Sequence, residues 1–559
     1  MFDSTDFLTP VSLWKEFNCD EPLQASKIGE MRYDNIAYVE YYFSGRSTKS
    51  GRVRIYGLYV TPDDNKKHSA LLYIPEITEK MSYEQINEYA KLGYSVLAVD
   101  LYGKREEGAD NFTAYPEDVA YANYEQRGRH ADFVETNATE TSEYEWVAVC
   151  KYALKFLRSM EDVDKIGIIG VKNGANLAWQ VAATEDGLSM AVMLFGAGWS
   201  AYRGINKFSD KDIEMDDERR KFIAAVDAHA YAQYVRCPIL YLTATNSDSF
   251  DFDRANDTLA RINPEMEYSF NYAPNFNVYL DEHCKKDIEV FLKNNFGQSD
   301  KCLAKAPKLT AEQSNSYLSF ELNFEPNEVE ECKVFLNEGV LDPSVRNWVS
   351  CPIKDSSRAD EGEMEFEYVV NGNPEQVFAF AVVRYKGGTS VSSKLIRKKT
   401  GGILPKRANL IYSSKNGLDG ITFYDKNNTN SGIFENLADC IQTVKGADGI
   451  EGVYSRYGIV SYKFGEPACK LDENSIIKLD VYNDEYCLLT LTLVAKADGE
   501  NREFYYSKEL GAGNIWKNIV INISEFKTIE GMGIRNFGDI FALRINSESR
   551  YAINNILLI

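Results

Sequence analysis

The chain is poor in histidine, with four, and has no C-x-x-C pair among its ten cysteines. The missing pairs exclude a zinc knuckle or a thioredoxin-type site, and Cys332 and Cys351 are expected to stay free thiols. No run of eighteen apolar residues occurs, so no membrane-spanning helix is expected. Positive charge is in deficit, with 62 Lys and Arg against 84 Asp and Glu and a net charge of −22. Such a surface repels nucleic acid and anionic membranes. The basic run Lys394-Leu395-Ile396-Arg397-Lys398-Lys399 reads as a solvated linker edge. The first residues, Met1-Phe2-Asp3-Ser4-Thr5-Asp6, carry acid where a secretory leader carries base, which makes a cytoplasmic chain the expectation. Nothing calls for a cofactor or a metal, and the oligomeric state is open.

What is present is a multidomain composition: 559 residues, 44% hydrophobic and 26% charged. Alternating stretches such as Ala37-Tyr38-Val39-Glu40-Tyr41-Tyr42-Phe43 and Arg52-Val53-Arg54-Ile55-Tyr56 predict antiparallel strands. From Leu71 the pattern changes to continuous apolar strands at 71–75, 94–100, 166–170, 190–195, 238–243 and 268–272. Helices alternate with them: one that Ser82 and Gln85 would cap, one that Ser142 and Glu145 would cap through Met160, then 175–183, 253–262 and 282–296. Continuous apolar strands separated by helices indicate a mostly parallel sheet covered on both faces. Two long insertions, at about 102–141 and 196–235, follow strand ends, where lids over a pocket sit. Beyond Gly297 the period becomes two, as in Tyr317-Leu318-Ser319-Phe320-Glu321-Leu322, and predicts an immunoglobulin- or fibronectin-like sandwich over 307–400. After Gly401-Gly402 and Pro405 a second sandwich is expected over 405–559.

The stretch Ile166-Gly167-Ile168-Ile169-Gly170-Val171-Lys172-Asn173-Gly174-Ala175 reads as a buried strand, a Gly-x-x-x-Gly turn and a helix that starts at once. Together with Val99-Asp100-Leu101-Tyr102-Gly103, the helix from Tyr144-Glu145-Trp146 and the late strands ending near Thr245-Asn246 and Pro274-Asn275, it makes residues 1–300 resemble the α/β-hydrolase superfamily. The similarity is to the acetyl xylan esterase and dienelactone-hydrolase-like branch. The resemblance implies a G-x-S-x-G elbow, with its nucleophile exposed on a strained turn and the triad in the order nucleophile, acid, histidine. This chain has Lys172 at the nucleophile. The acid position falls on Ser247, with Asp248 next to it, and the P-N-x-x-H histidine falls on Val278, after Asn277. Losing one triad member leaves about 10³–10⁴ over water, and losing two leaves little.

Lys172 admits three readings: a vestigial residue filling the old pocket, an anion-binding ammonium at a helix start with Asn173 beside it, or an amine nucleophile. His130 lies in the first insertion, where a lid would carry it over Lys172. His68 reads as a surface turn, His229 as a polar helix face and His283 as the start of the last helix. The C-terminal region resembles carbohydrate-binding-module jelly rolls through Asn514-Ile515-Trp516-Lys517-Asn518-Ile519-Val520-Ile521, Glu525-Phe526 and Tyr551-Ala552-Ile553-Asn554-Asn555-Ile556, with Trp516 assigned to the core. The expectation is a non-hydrolytic hydrolase-fold protein that binds a small molecule, a saccharide or an acidic metabolite, or serves as an assembly platform. The alternative is a carboxylic-ester hydrolase on acylated carbohydrate with a displaced site.

Overall fold

The computed structural model describes residues 7–64, 66–79, 81, 83–105, 111–209, 215–402, 408–425, 432–497 and 500–559. Met1 to Asp6, Ser82 and Pro405, which carried sequence-based expectations, lie outside the described residues. The chain divides into two compact units. The first is Met1–Thr243, Ser249–Phe270 and Ile288–Cys302; the second is Ala244–Asp248, Asn271–Asp287 and Leu303–Ile559.

A nine-stranded sheet, all of it in the first unit except Ala244 and Asn271–Ala273, is made of β1 (Ser26–Tyr33), β2 (Ile36–Ser47), β3 (Arg52–Pro62), β4 (His68–Ile74), β5 (Ser95–Val99), β6 (Val163–Val171), β7 (Ala191–Leu194), β8 (Ile239–Ala244) and β9 (Tyr268–Ala273). Their order in the sheet is β1-β2-β3-β5-β4-β6-β7-β8-β9. Pairing is antiparallel from β1 through β3 to β5 and parallel along β5-β4-β6-β7-β8. The antiparallel entry thus lies where the sequence alternates, and the parallel part where it is continuously apolar. Leu72 pairs with Ile168, and Val192 with both Ile169 and Leu240; all five are fully or almost fully buried, as strands covered on both faces require.

The helices are α1 (Pro10–Trp14), α2 (Tyr83–Lys91), α3 (Ser142–Ser159), α4 (Asn173–Thr184), α5 (Asp217–Ala225), α6 (Phe252–Ala260) and α7 (Glu282–Asn295). The cap of α3 differs from the expected Ser142 and Glu145. Thr141 supplies it, accepting from the Tyr144 N–H at 3.3 Å, while the Ser142 hydroxyl donates to the Tyr121 carbonyl. Glu145 is buried and accepts from Arg46 Nε at 2.8 Å. A buried guanidinium–carboxylate contact outweighs a reach back to the helix start. Short 3-10 turns occupy the first insertion and α5 the second.

The second unit contains two antiparallel β-sandwiches. One pairs the sheet of Lys308–Ser314, Tyr317–Asn323, Glu363–Val369 and Ile353–Asp355 with a five-stranded sheet centred on Val329–Asn337 and Gln376–Tyr385. The other pairs a six-stranded sheet that includes Ile476–Asn483, Gly513–Asn522 and Ala552–Leu558 with a five-stranded sheet that includes Cys487–Ala497 and Glu500–Leu510. Inward residues at every second position, such as Leu318, Phe320 and Leu322, make the first core. All ten cysteines are free thiols, Cys332 and Cys351 being buried in that core. Among the described residues no helix is long and apolar enough to cross a membrane, and no group of three or more His, Cys, Asp or Glu is placed to hold a metal ion.

Candidate functional site

Strand β6 ends in a turn so tight that two glycines are required. A Cβ on Gly170 would stand 2.6 Å from the Gly174 carbonyl oxygen, and one on Gly174 would stand 2.3 Å from the Ile74 carbonyl oxygen. Between them Lys172 has φ 54° and ψ −116°, a conformation costly for a side-chain-bearing residue and held only by its surroundings. The Lys172 N–H donates to the Leu194 carbonyl at 2.8 Å. The buried helix α4 follows, with Trp179 fully enclosed and its Nε1 donating to the Gly196 carbonyl at 3.1 Å. This is the strained strand-to-helix elbow the sequence calls for, with an ammonium where a hydroxyl would stand.

Two carboxylates after β4 have taken the polar groups of the elbow. Glu76, 6% exposed, accepts from the Asn173 backbone N–H at 2.9 Å and from Asn173 Nδ2 at 3.0 Å. Glu79 accepts from Lys172 Nζ at 2.9 Å; their side chains are 49% and 23% exposed. The two contacts differ in weight. The Glu79 pair is a surface ion pair, contributing about 1 kcal/mol or less. The Glu76 carboxylate is shielded, doubly bonded and set on the positive end of a helix. Replacing Glu76 by alanine is therefore expected to lower stability by about 1–3 kcal/mol, read as a lower urea midpoint, while Glu79→Ala shifts it little.

The loops after β8 and β9 belong to the second unit. Ser247 is buried, Asp248 and Asn277 are exposed, and Val278 is half-buried between the buried Phe276 and Tyr279. The two loops are tied together, with Asn246 N–H donating to the Phe276 carbonyl and Asn275 N–H to Thr245 Oγ1, both at 2.9 Å. Their amide side chains clamp the segment 343–348: Asn246 Nδ2 donates to the Arg346 carbonyl at 2.7 Å and Asn275 Nδ2 to the Trp348 carbonyl at 2.8 Å.

With this geometry in view, residues 55–271 match the model of the Dienelactone hydrolase family. That stretch is a dienelactone-hydrolase-family domain. Among solved structures, acetyl xylan esterase 1 from Thermoanaerobacterium sp. JW/SL YS485 is 15% identical, with 49% of this chain and 89% of that chain covered and a TM-score of 0.39. An acetyl xylan esterase from Paenibacillus sp. R4 is 14% identical, with 51% of this chain and 91% of that chain covered and a TM-score of 0.39. No curated protein matches the chain.

The histidines of the dienelactone-hydrolase-family domain have other partners. His68 Nε2 lies 2.8 Å from Asp64 Oδ1 and its Nδ1 lies 3.0 Å from the Gly93 carbonyl. His130 stacks on Tyr121, and its Nδ1 lies 2.8 Å from the Glu140 carbonyl, both partners being within the first insertion rather than at Lys172. In the second unit, His283 Nδ1 lies 2.9 Å from the Gly388 carbonyl.

The sequence readings of His68 and His229 also need correction: His68 opens strand β4 and is half-buried instead of lying in a surface turn, and His229 is buried, not on a polar face. Its ring stacks on Trp199 with centroids 3.9 Å apart, and Nδ1 stands 3.3 Å from Asp227 Oδ1. Glu143 is near this pair; burial first, then the Asp227 and Asp132 charges, push its carboxyl well above the ordinary range, and Gln180 Nε2 donates to it at 3.1 Å. The motif Asp227-Ala228-His229 was the available signal for a base–acid pair. The buried Ser200 Oγ makes no hydrogen bond among the described residues and so is not bonded to His229.

Proposed function

We propose that this chain is a non-hydrolytic protein of the hydrolase fold that acts by binding or as an assembly platform. The observation that carries the reading is the Glu76 carboxylate on the Asn173 N–H. In hydrolases of this fold, the N–H after the nucleophile is one of the donors that stabilise the tetrahedral oxyanion. Here it is bonded to a fixed internal anion, which both removes the donor and repels the negative charge that would develop on an ester oxygen. Lys172 supplies no hydroxyl, and its ammonium is paired with Glu79. An acidic ligand at this helix start would have to displace two carboxylates, so binding of an acidic metabolite here is the less supported form of the proposal.

The test is turnover of activated acetyl esters such as 4-nitrophenyl acetate. The expected rate is that of buffer alone. Lys172→Ser is expected to leave it there, because the hydroxyl it introduces meets neither a base nor a free oxyanion donor. Turnover well above buffer that disappears on replacing a residue of the elbow would overturn the proposal and favour a displaced ester-hydrolase site.

A further inference from the structure

The nine-stranded sheet ends at β1, which pairs with β2 on one side and has no strand partner on the other among the described residues. Every residue of β1 is exposed except the half-buried Gly29. Such an edge presents unpaired N–H and C=O groups, a template for one more strand. Met31 and Tyr33, 55% and 72% exposed, share one face. Met31 stands opposite Tyr38 of β2, whose ring lies near the exposed Tyr83 with centroids 6.3 Å apart. Apolar surface therefore lies beside the open edge.

Glu30 and Arg32 take the other face. Arg32 Nε donates to Glu30 Oε1 at 2.9 Å, and its Nη1 donates to Asp63 Oδ1 at 2.9 Å. A register shift between Lys27 and Gly29 interrupts the pairing with β2. The regular part of the strand is therefore 29–33, and Met31 is its centre.

We propose that β1 pairs with β1 of a second copy of this chain, antiparallel about a two-fold axis at Met31. Such an axis stands perpendicular to the sheet and keeps each face on its own side, so a residue can face only one an even number of places away. Centred on Met31, Glu30 of each copy faces Arg32 of the other, and the four charges alternate in sign round the axis. Tyr33 of each copy then crosses Gly29 of the other, where no side chain obstructs the ring. Glycine is required there, since a Cβ would stand 2.3 Å from Glu40 Oε2. The neighbouring registers are worse: centring on Glu30 opposes two carboxylates, centring on Arg32 opposes two guanidinium groups, and centring on Gly29 carries the pairing into the irregular part. This self-complementary charge pattern selects a second copy over an unrelated strand. A net charge of −22 makes two copies repel in general, whereas β1 itself carries Lys27 and Arg32 against Glu30. The inference does not rest on the elbow or on the non-hydrolytic reading.

The full chain is to be followed by sedimentation velocity from about 1 to 100 μM. A reversible monomer–dimer equilibrium is expected. Glu30→Arg and Arg32→Glu, both at exposed positions, should each weaken self-association about tenfold and leave the melting temperature close to that of the wild type. An equimolar mixture of the two variants should regain the dimer, because the mixed pair restores opposite charges at both crossings. Met31→Cys should give a disulfide-linked dimer on mild oxidation where the wild type gives none, since facing residues of an antiparallel pair have Cα atoms about 4.5–5.5 Å apart. A monomer at every concentration, a dimer that both charge variants leave unchanged, a mixture no more dimeric than its components, or no cross-link at position 31 would each overturn the proposal. Ester turnover of the same samples reports on the elbow alone, so the two readings fail independently.

Discussion

Trp348→Ala is expected to lower stability by about 3–5 kcal/mol, read as a fall in the urea midpoint of the second unit. The indole is fully buried, packed edge-on against Phe380 with ring centroids 4.9 Å apart. Removing it leaves a cavity in a region already committed to polar clamps, which limits collapse. Its backbone is held separately: Trp348 N–H donates to Asn275 Oδ1 at 3.0 Å, and the Asn275 amide donates back to the Trp348 carbonyl at 2.8 Å. The two contributions can be separated. Asn275→Ala keeps the indole and removes both bonds, and it also places an alanine at φ 63°, where asparagine is tolerated and alanine is not. A loss of about 2 kcal/mol is expected for it. If Trp348→Ala shifted the midpoint no more than a surface substitution does, this segment would not be the anchor of the loops after β8 and β9.

That anchoring bears on function. The positions where the resemblance places an acid and a histidine, Ser247 or Asp248 and Val278, lie in loops whose asparagines now serve as side-chain clamps for residues 343–348. Thr422 Oγ1 also donates to the Asn275 carbonyl at 3.0 Å. A loop constrained at Asn246, Asn275 and Phe276 stabilises the second unit through its backbone, whatever side chains sit at 247, 248, 277 and 278.

The sequence made the scaffold legible because the scaffold is local. Period two in β2 and β3, continuous apolar runs in β4 to β8 and the Gly170–Gly174 turn each lie within a dozen residues. Lys172 and Val278 could be flagged for the same reason. What escaped was long-range. Glu76 and Asn173 are 97 residues apart, and nothing in the text Pro75-Glu76-Ile77 says that its carboxylate reaches a helix start in a later crossover. Asp227 and His229 stand two apart in the sequence, which reads His229 only as a polar helix face; their burial beside Trp199 depends on how the second insertion folds back. The Thr141 cap was missed by one residue because Ser142 and Glu145 fit the capping pattern equally well, and Glu145 had a stronger partner in Arg46, 99 residues away.

Glu466 gives the second large effect, and its sign depends on pH. The carboxyl is buried, with Asn337 Nδ2 its hydrogen-bond donor at 3.4 Å. Burial first, then the nearby Glu338 charge, raise it to about 8, with Lys463 opposing. Glu338 is itself fixed, accepting from the Tyr368 hydroxyl at 3.0 Å and from the Asn371 and Gly372 N–H groups at 3.3 and 3.2 Å. Cys469 and Tyr368 also feel the Glu466 charge; burial first raises both, Cys469 to about 12 and Tyr368 well above the ordinary range, so both stay protonated. In the unfolded chain Glu466 titrates near 4.5. Between about 4.5 and 8 the folded state therefore holds the extra proton, and the free energy of unfolding must fall as pH rises across that window. The contribution is complete below the lower value and lost above the upper one. By pH 7 the loss is on the order of 3 kcal/mol. Glu466→Gln keeps the shape and cannot ionise, so it should remove this slope and exceed the wild type at pH 8 while nearly matching it at pH 4.5. Urea midpoints of both proteins from pH 4.5 to 8.5 decide it: two curves that stay parallel would show that Glu466 is charged in the fold, and that Lys463 rather than burial sets its state.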